Sequence, residues 1–513
     1  MTSRSTKSMG GIAAAAVALG VTQLLAVFVG PRADSRTAVG STVIDLTPAP
    51  VKEWAIKTFG MADKLVLAML VLAVIAVVAA ATAALETRRF PIGSFAIVAA
   101  GVAGCAAVLS RAGATFVDIL PTVVGTVCGV AVLRLLTSGR FTDAAGNAAD
   151  DGPDPGRRLS LITLGFLGAG ALTGVGGVVL SRLTTSVSGD RTAFALPPVD
   201  VAAPPVPATV QPKGVGLPSF VTPNTDFYRI DTALSVPQLS RENWQLRIHG
   251  MVDREITLRF DDLDRFDVIE KLVTLTCVSN PVGGDLIGNA TWTGYRVSDL
   301  LAEAGVHRDA DMVLSTSIDG FTAGTPVEAL TDDRGSLLAV GMNGEPLPTD
   351  HGYPARLVVP GLYGYVSATK WVVDLEVTRF DRAQAYWTRL GWSPRGPIKT
   401  QSRIDVPRSG QDVPRGSVTF GGVAWAQNRG VRNVEVRIDG PDRQGDWRQA
   451  ELGAAYSNET WRLWSLPWQA TEPGRHTITV RATDNTGATQ TADIAQPIPD
   501  GASGWHSVDF EVT

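Results

Sequence analysis

Thr274-Leu-Thr-Cys-Val-Ser-Asn-Pro-Val-Gly-Gly284 joins a β-rich run starting at Val268 to a glycine turn, and its cysteine organises the reading of the whole chain. Cys277 is the sole cysteine beyond position 128, and Cys105 and Cys128 both lie inside long apolar runs. It therefore has no disulfide partner in its own region. A lone thiol at the end of a strand is either a small buried hydrophobe or a metal ligand or nucleophile. The surrounding sequence has to decide between these.

On the N-terminal side, the chain of 513 residues has room for several domains. A net charge of −5 argues against a nucleic-acid binder. Five apolar runs, near 9–30, 64–85, 93–110, 117–136 and 160–181, approach the roughly 20 residues needed to cross a hydrocarbon core. Arg4 and Lys7 precede the first run, Arg88 and Arg89 follow the second, and Arg140, Arg157 and Arg158 lie between the fourth and fifth. The short loop between the third and fourth carries Arg111 against Asp118. Basic short loops stay cytoplasmic, which places everything after the fifth run on the extracytoplasmic side of the cell membrane. The longer loop 31–63, with Arg32, Arg36, Lys52 and Lys57, runs against this. The five histidines, His249, His307, His351, His476 and His506, all lie beyond the spans, so no haem is expected in this chain. The spans hold few ionisable groups, which favours an anchor and docking surface over a transporter. Gly156-Arg157-Arg158-Leu159-Ser160-Leu161 resembles a twin-arginine export signal, and reads equally as two arginines on the cytoplasmic side of a span.

Beyond the spans, residues 182–216 are rich in Pro and Ala and read as an extended linker, with a folded unit starting near Leu217. From 240 to 380 the pattern is mixed. Trp244, Leu246 and Ile248 alternate as in a half-buried strand, and Val297, Leu300, Leu301 and Ala304 share a helix face. Met312–Ser317 and Ala355–Val359 read as strands, and Asn343-Gly344 as a tight turn. Such irregular interleaving favours α+β over a doubly wound sheet. From 404 onward Ser417–Trp425, Val431–Ile438, Trp461–Trp468, His476–Ala482 and Trp505–Val512 are short alternating strands. They suit an immunoglobulin-like sandwich without a disulfide.

Several segments in order resemble the sulfite-oxidase family of molybdopterin-dependent oxidoreductases: Thr222-Pro-Asn-Thr-Asp-Phe-Tyr-Arg229, Thr274-Leu-Thr-Cys-Val-Ser-Asn280, Ser317-Ile-Asp-Gly-Phe321, Asn343-Gly-Glu-Pro-Leu-Pro348, His351-Gly-Tyr-Pro-Ala-Arg-Leu-Val-Val-Pro-Gly361, Lys370-Trp371 and Pro397-Ile-Lys-Thr-Gln-Ser-Arg403. The resemblance covers 217–513. It implies a multi-domain architecture: a five-helix transmembrane region over 1–181, the linker 182–216, an α+β sulfite-oxidase-type molybdopterin domain over 217–403, and an immunoglobulin-like β-sandwich for dimerisation over 404–513. It also implies molybdenum and molybdopterin as cofactors, with Cys277 as the catalytic metal ligand. A soft thiolate suits such a transition metal. Arg356, His351, Ser317, Asn224, Tyr228 and Arg229 fall at pterin-contact positions, and Ser367, Thr369 and Lys370 cover the family's basic segment with one residue more than its relatives. Tyr228 reads equally as core and Arg229 as a surface charge, whereas a guanidinium in the apolar strand around Arg356 demands partners.

The departures bear on the substrate. Sulfite oxidases place an arginine four residues after the cysteine, where this chain has Pro281. They also carry a tyrosine where Tyr386-Trp-Thr-Arg-Leu-Gly-Trp-Ser-Pro394 has Leu390, with Trp392 close by. A sulfite pocket needs cationic donors for a dianion, so reduction of a small-molecule or protein-bound S- or N-oxide is favoured over sulfite oxidation. Electrons would be exchanged with an external membrane redox protein or the quinone pool, and the sandwich would allow a homodimer. The alternative is a non-catalytic, membrane-anchored binding or assembly protein that retains the fold.

Overall fold

The computed structural model describes residues 4–30, 33–48, 51, 54, 58–59, 63–87, 89–111, 114–138, 155–233 and 235–513. Arg32, Lys52, Lys57, Arg88 and Arg140, used above for orientation, lie outside the described residues. The chain divides into two compact units, Met1–Ser186 with Ala233–Gln238, and Val187–Thr232 with Leu239–Thr513.

Among the described residues of the first unit, five helices are long and apolar enough to cross a membrane: Ser5–Val29, Leu65–Ala84, Ile92–Leu109, Phe116–Thr137 and Leu159–Ser181. They match the expected runs to within a few residues. An additional helix, Ser35–Leu46, is capped by Asp34, whose carboxylate accepts from the backbone of Arg36 at 3.0 Å. The first span packs against its neighbours at backbone distance. A Cβ added at Gly20 would collide with the Gly170 carbonyl, one at Gly11 with the Ala79 carbonyl, and one at Gly170 would come within 2.5 Å of Ala16. Without a hydrophobic drive between helices in lipid, such close approach by small residues supplies the packing energy. Glu86 folds back to accept from the backbones of Gly93 (2.7 Å) and Ser94 (3.0 Å), satisfying the first N–H groups of the Ile92–Leu109 helix.

The second unit begins with the ten strands β1 (Gln245–Gly250), β2 (Ile256–Arg259), β3 (Val268–Thr276), β4 (Ile287–Arg296), β5 (Met312–Ser317), β6 (Thr322–Pro326), β7 (Leu337–Met342), β8 (Glu345–Pro346), β9 (Arg356–Val358) and β10 (Val372–Thr378). They form two sheets, β2-β1-β10-β5-β6 and β3-β4-β7-β8, with β9 added against β7. Only the β1–β10 pair is parallel. The mixed, mostly antiparallel pattern is the α+β arrangement the sequence indicated. Leu246 and Ile248 are buried on β1, and Val297, Leu300, Leu301 and Ala304 bury one face of the helix Val297–Ala304. Asn343 and Gly344 both take positive φ, 51° and 78°, to reverse β7 into β8, as a two-residue hairpin requires.

The C-terminal strands are β11 (Gln401–Val406), β12 (Gln411–Val413), β13 (Gly416–Trp425), β14 (Val431–Asp439), β15 (Trp447–Gln449), β16 (Glu451–Leu452), β17 (Arg462–Ala470), β18 (Gly474–Asp484) and β19 (His506–Val512). They make two sheets, β11-β13-β17-β16 and β12-β19-β18-β14-β15. Phe420, Val434, Trp464, Ile478 and Phe510 share the core of this sandwich. The first sheet is buried on both faces. Phe420 and Ala424 of β13, with Trp464 of β17, point into the sandwich, while Val423, Trp425 and Leu463 join the hydrophobic core shared with β1, β3, β4 and β10. Side-chain alternation along a strand makes this double use possible.

The expected linker is extended, as its prolines require, but it does not hang free. The folded unit starts at Val187, about thirty residues before Leu217. The short helix Ser188–Ala193 is fixed by Asp190, which pairs with Arg241 at 2.9 Å and accepts from the Tyr353 hydroxyl at 2.7 Å. Val201 then bridges Ile269 on the edge of β3, Tyr456 donates to the Pro204 carbonyl at 2.7 Å, and Val210 is buried in the main core. Prolines cannot donate to a ladder, but the residues between them do.

Candidate functional site

The site grows from three short segments around the ends of β3, β9 and β10. Cys277 follows β3 directly and is partly exposed. Its backbone N–H donates to Leu286 at 3.0 Å, closing a loop over 277–286. Burial pushes the thiol pKa up, while the N–H and hydroxyl of Ser279 pull the other way by favouring the thiolate. The Tyr228 hydroxyl is held well above its usual range, first by burial and then by the neighbouring Cys277 thiolate, with Arg356 opposing. Tyr228 is thus within electrostatic reach of both the thiol and the guanidinium.

Arg356 on β9 is 5 % exposed. Three of its five N–H groups donate to the backbone carbonyls of His351 (3.1 Å), Leu357 (3.3 Å) and Ala368 (3.4 Å), and its guanidinium lies 5.0 Å over the Trp292 ring. Among the described residues no carboxylate pairs with it. Desolvation lowers its pKa to about 10, the signature of a buried cation short of counter-charge. Beside it, Lys370 pairs with Asp231 at 2.8 Å, donates to the Asp350 carbonyl at 3.0 Å and lies over the Trp371 ring. Its pKa is lowered to about 8 by burial, with Asp231 opposing. Arg229 reaches Asp231 at 2.9 Å and Asp350 at 3.4 Å. His351, 5 % exposed, hydrogen-bonds the backbone of Asn224 and packs edge-on against Phe227. Burial and then Arg356 and Lys370 lower its pKa to about 4, so the ring is neutral at pH 7.

The structure therefore brings Tyr228, Arg229, His351, Arg356 and Lys370 together, with Cys277 within electrostatic reach of Tyr228. Ser317 closes β5 opposite Val372, and its buried hydroxyl has no hydrogen-bond partner among the described residues. Three other candidates are engaged within the protein. Asn224 accepts from Asn343 at 2.9 Å, Ser367 donates to the Tyr363 carbonyl at 3.0 Å, and Thr369 bonds Ser315 at 2.7 Å. Residues that motif reading overlooked are Asp231 and Asp350, which divide the cations; Trp371, already part of the Lys370-Trp371 segment, takes φ +50°. A bulky residue there stores on the order of 1–3 kcal/mol of strain, a cost tolerated mainly at functional sites. The departures noted above also have places. Pro281 sits in the loop after Cys277, where its carbonyl accepts from Gly284 at 2.9 Å, and Trp392 is buried between Tyr365 and Trp387.

The donor set can be weighed against a phosphorylated pterin. Three cations, Arg229, Arg356 and Lys370, face two carboxylates, Asp231, which is buried, and Asp350, which is half exposed. The pocket thus has surplus positive charge on buried N–H donors, an orphaned hydroxyl at Ser317 and a separate thiol. An anionic cofactor tail with a soft metal at its other end satisfies all three. The residues fit.

A β-rich domain that sets a buried cation pocket beside a lone thiol defines a cofactor-dependent oxidoreductase. Residues 233–387 match the family described as Oxidoreductase molybdopterin binding domain. The mitochondrial sulfite oxidase of Mus musculus is 31% identical over 345 residues, 57% of this chain and 62% of that protein. Its Homo sapiens counterpart is 32% identical over 295 residues, 48% of this chain and 53% of that one. The uncharacterized oxidoreductase YuiH of Bacillus subtilis is 35% identical over 153 residues, 30% of this chain and 74% of that protein. A solved structure, the sulfane dehydrogenase SoxCD from Paracoccus pantotrophus, aligns over 58% of this chain and 82% of that one, at 24% identity and a TM-score of 0.48. The chain belongs to the sulfite-oxidase family of molybdopterin-dependent oxidoreductases. It spans between about half and three-fifths of the length of the mammalian sulfite oxidases it matches.

Proposed function

We propose that this chain is a membrane-anchored molybdoenzyme that transfers an oxygen atom and two electrons, and reduces S- or N-oxides rather than oxidising sulfite. One observation carries the reading: among the described residues the buried guanidinium of Arg356 has no carboxylate partner, and it donates to the His351 carbonyl in a pocket that Lys370 shares.

When bound, the molybdenum cofactor would supply the redox and oxygen-atom chemistry. Cys277 would hold the metal as thiolate, supported by the two donors of Ser279. Arg356, Lys370 and Arg229 would anchor the anionic tail, with Asp231 and Asp350 fixing the orientation of Lys370 and Arg229. Neutral His351 and the free hydroxyl of Ser317 would offer hydrogen bonds without further charge. Pro281 and Leu390, in place of a cation and a phenol, leave a mouth poorly matched to a dianion and better matched to a neutral oxide. The five candidate spans support a membrane protein, and the basic residues flanking them support an extracytoplasmic catalytic unit. Export after folding through Arg157-Arg158, electron exchange with a membrane partner or the quinone pool, and pairing of two copies through the sandwich belong to the same proposal.

The test is metal analysis of the full chain in detergent beside Cys277→Ser, followed by assays with dye-coupled sulfoxide or N-oxide reduction and sulfite oxidation. About one molybdenum per wild-type chain, altered content or paramagnetic spectrum in the variant, and turnover of a neutral oxide would support it. Well-folded wild type without molybdenum would leave the binding or assembly role, and turnover of sulfite alone would reverse the substrate assignment.

A further inference from the structure

The cysteine loop is held at both ends by residues of the sandwich. Over its C-terminal half β3 pairs with β4 on one edge, and sandwich residues meet the other. Thr274 donates from its backbone to the Glu459 carbonyl at 3.0 Å, and Trp461 N–H donates to the Thr274 hydroxyl at 2.8 Å. Gln427, fully buried, donates through its amide to the Thr274 carbonyl at 3.2 Å and to the Thr276 hydroxyl at 3.4 Å. These contacts end one residue before Cys277.

Beyond the cysteine the loop is tied to itself. Asn280 N–H donates to the Cys277 carbonyl at 3.1 Å, and the Asn280 side chain accepts from Leu286 at 3.0 Å. Its far turn then meets the sandwich again. Arg403 donates to the Gly284 carbonyl at 2.9 Å and is itself fixed by Asp405 at 2.8 Å. The His506 ring fills the space a Cβ at Gly283 would need, and its Nδ1 accepts from Ile404 at 3.0 Å. Gly283 takes φ +77°, so both conformation and space demand glycine there.

We propose that the sandwich positions the metal-binding thiol, with Gln427 and Arg403 as positioning residues before and after Cys277. A thiol tethered on one side only would sample geometries a metal centre does not tolerate, because ligand groups act through the supports that fix them. This inference rests on the reading of Cys277 as the molybdenum ligand.

The experiment uses the full chain in detergent with Arg403→Met, Arg403→Lys and Gln427→Leu. In metal-free protein, the rate of Cys277 alkylation by iodoacetamide is followed by peptide-resolved mass spectrometry, which separates it from Cys105 and Cys128. In loaded protein, the Mo(V) paramagnetic spectrum is recorded. Arg403→Met and Gln427→Leu are expected to raise the alkylation rate at least about tenfold and to shift the spectrum, with Arg403→Lys restoring part of both. Folded variants whose alkylation rate stays within about twofold of wild type, with an unchanged spectrum, overturn the proposal. If Arg403→Met does not fold, Arg403→Lys and His506→Gln supply the same comparison. Wild type without molybdenum would remove the metal reading, while the alkylation rates would still show whether the sandwich holds the thiol.

Discussion

Lys370 and Asp231 form a 2.8 Å ion pair in which both side chains are almost fully buried, and among the described residues that pair leaves Arg356 as the one cation of the pocket without a carboxylate. The imbalance is costly in the metal-free protein and useful once an anion arrives.

Arg356→Met should therefore separate stability from cofactor loading. The variant removes a desolvated charge together with its cation–π contact to Trp292. Relief of a lone desolvated charge offsets the loss of its hydrogen bonds to the His351, Leu357 and Ala368 carbonyls. Thermal melting of metal-free protein should show no loss, while molybdenum and pterin content fall at least about tenfold, as when a charge-assisted anchor of roughly 1.5–3 kcal/mol is lost. A destabilised variant with normal loading would contradict the role given to Arg356.

The pH dependence should have opposite signs with and without cofactor. The pKa of Lys370 is about 8 when folded, against an ordinary 10.5. Between those values the unfolded chain binds more protons, so metal-free stability rises with pH across that window, by up to about 3 kcal/mol. Retention of an anionic cofactor should instead weaken above pH 8, as Lys370 loses its charge. Denaturant titrations of metal-free protein and cofactor release followed from pH 7 to 10 would check both signs.

His351 and His506 act at the acid end. Both have folded pKa values of about 4 against an ordinary 6.5, with burial the leading cause. Their contribution is present above pH 6.5 and is lost as pH falls toward 4, on the order of 3 kcal/mol each. His351→Gln should flatten the acid limb of the stability profile, and an unaltered limb would count against the assignment.

Gly361 offers a test of the junction between the cofactor domain and the sandwich. It takes φ +82°, and a Cβ there would collide with the Asn428 side chain, while Asn428 itself takes φ +66°. Gly361→Ala should cost roughly 1–3 kcal/mol from backbone strain with the clash added. Asn428→Gly on that background removes the obstructing side chain and should recover part of the loss, as chemical denaturation of the double variant would show.

The membrane unit can be probed by paired glycines on one helix. Gly170 lies within Cβ-collision range of Ala16, whereas Gly165 and Gly168 face open space. Gly170→Leu should sharply lower the thermal stability of the detergent-solubilised chain, and Gly168→Leu should leave it nearly unchanged. Equal effects at both positions would refute the packing of the first span against the last.

The spans were legible because apolar length alone separates them from soluble helices. The sandwich strands were legible because alternation and turn residues punctuate them. The helix Val297–Ala304 and the Asn343-Gly344 hairpin carry local signals of the same kind. Cys277 stood out as the lone cysteine of its region, and Arg356 as a charge in an apolar strand. Asp231 and Asp350 did not, since a carboxylate near an arginine is common on any surface and their value comes from chain brought together over more than a hundred residues. The docked segment from Val187 to Leu217 was misjudged as a connector because its composition describes what prolines prevent, not what the residues between them can pair with. The grip of Gln427 and Arg403 on the cysteine loop is likewise a product of tertiary placement, with separations of 151 and 119 residues.

The placement of Val201 against Ile269 and of Asp200 against Val268 has a practical consequence. Those contacts cover the start of the outer edge of β3, the strand that leads to Cys277. A soluble fragment cut at Leu217, where composition invites the cut, would bare that edge and remove Val210 from the core. Exposed strand edges recruit one another, so such a fragment should self-associate, and the safe boundary lies ahead of Val187.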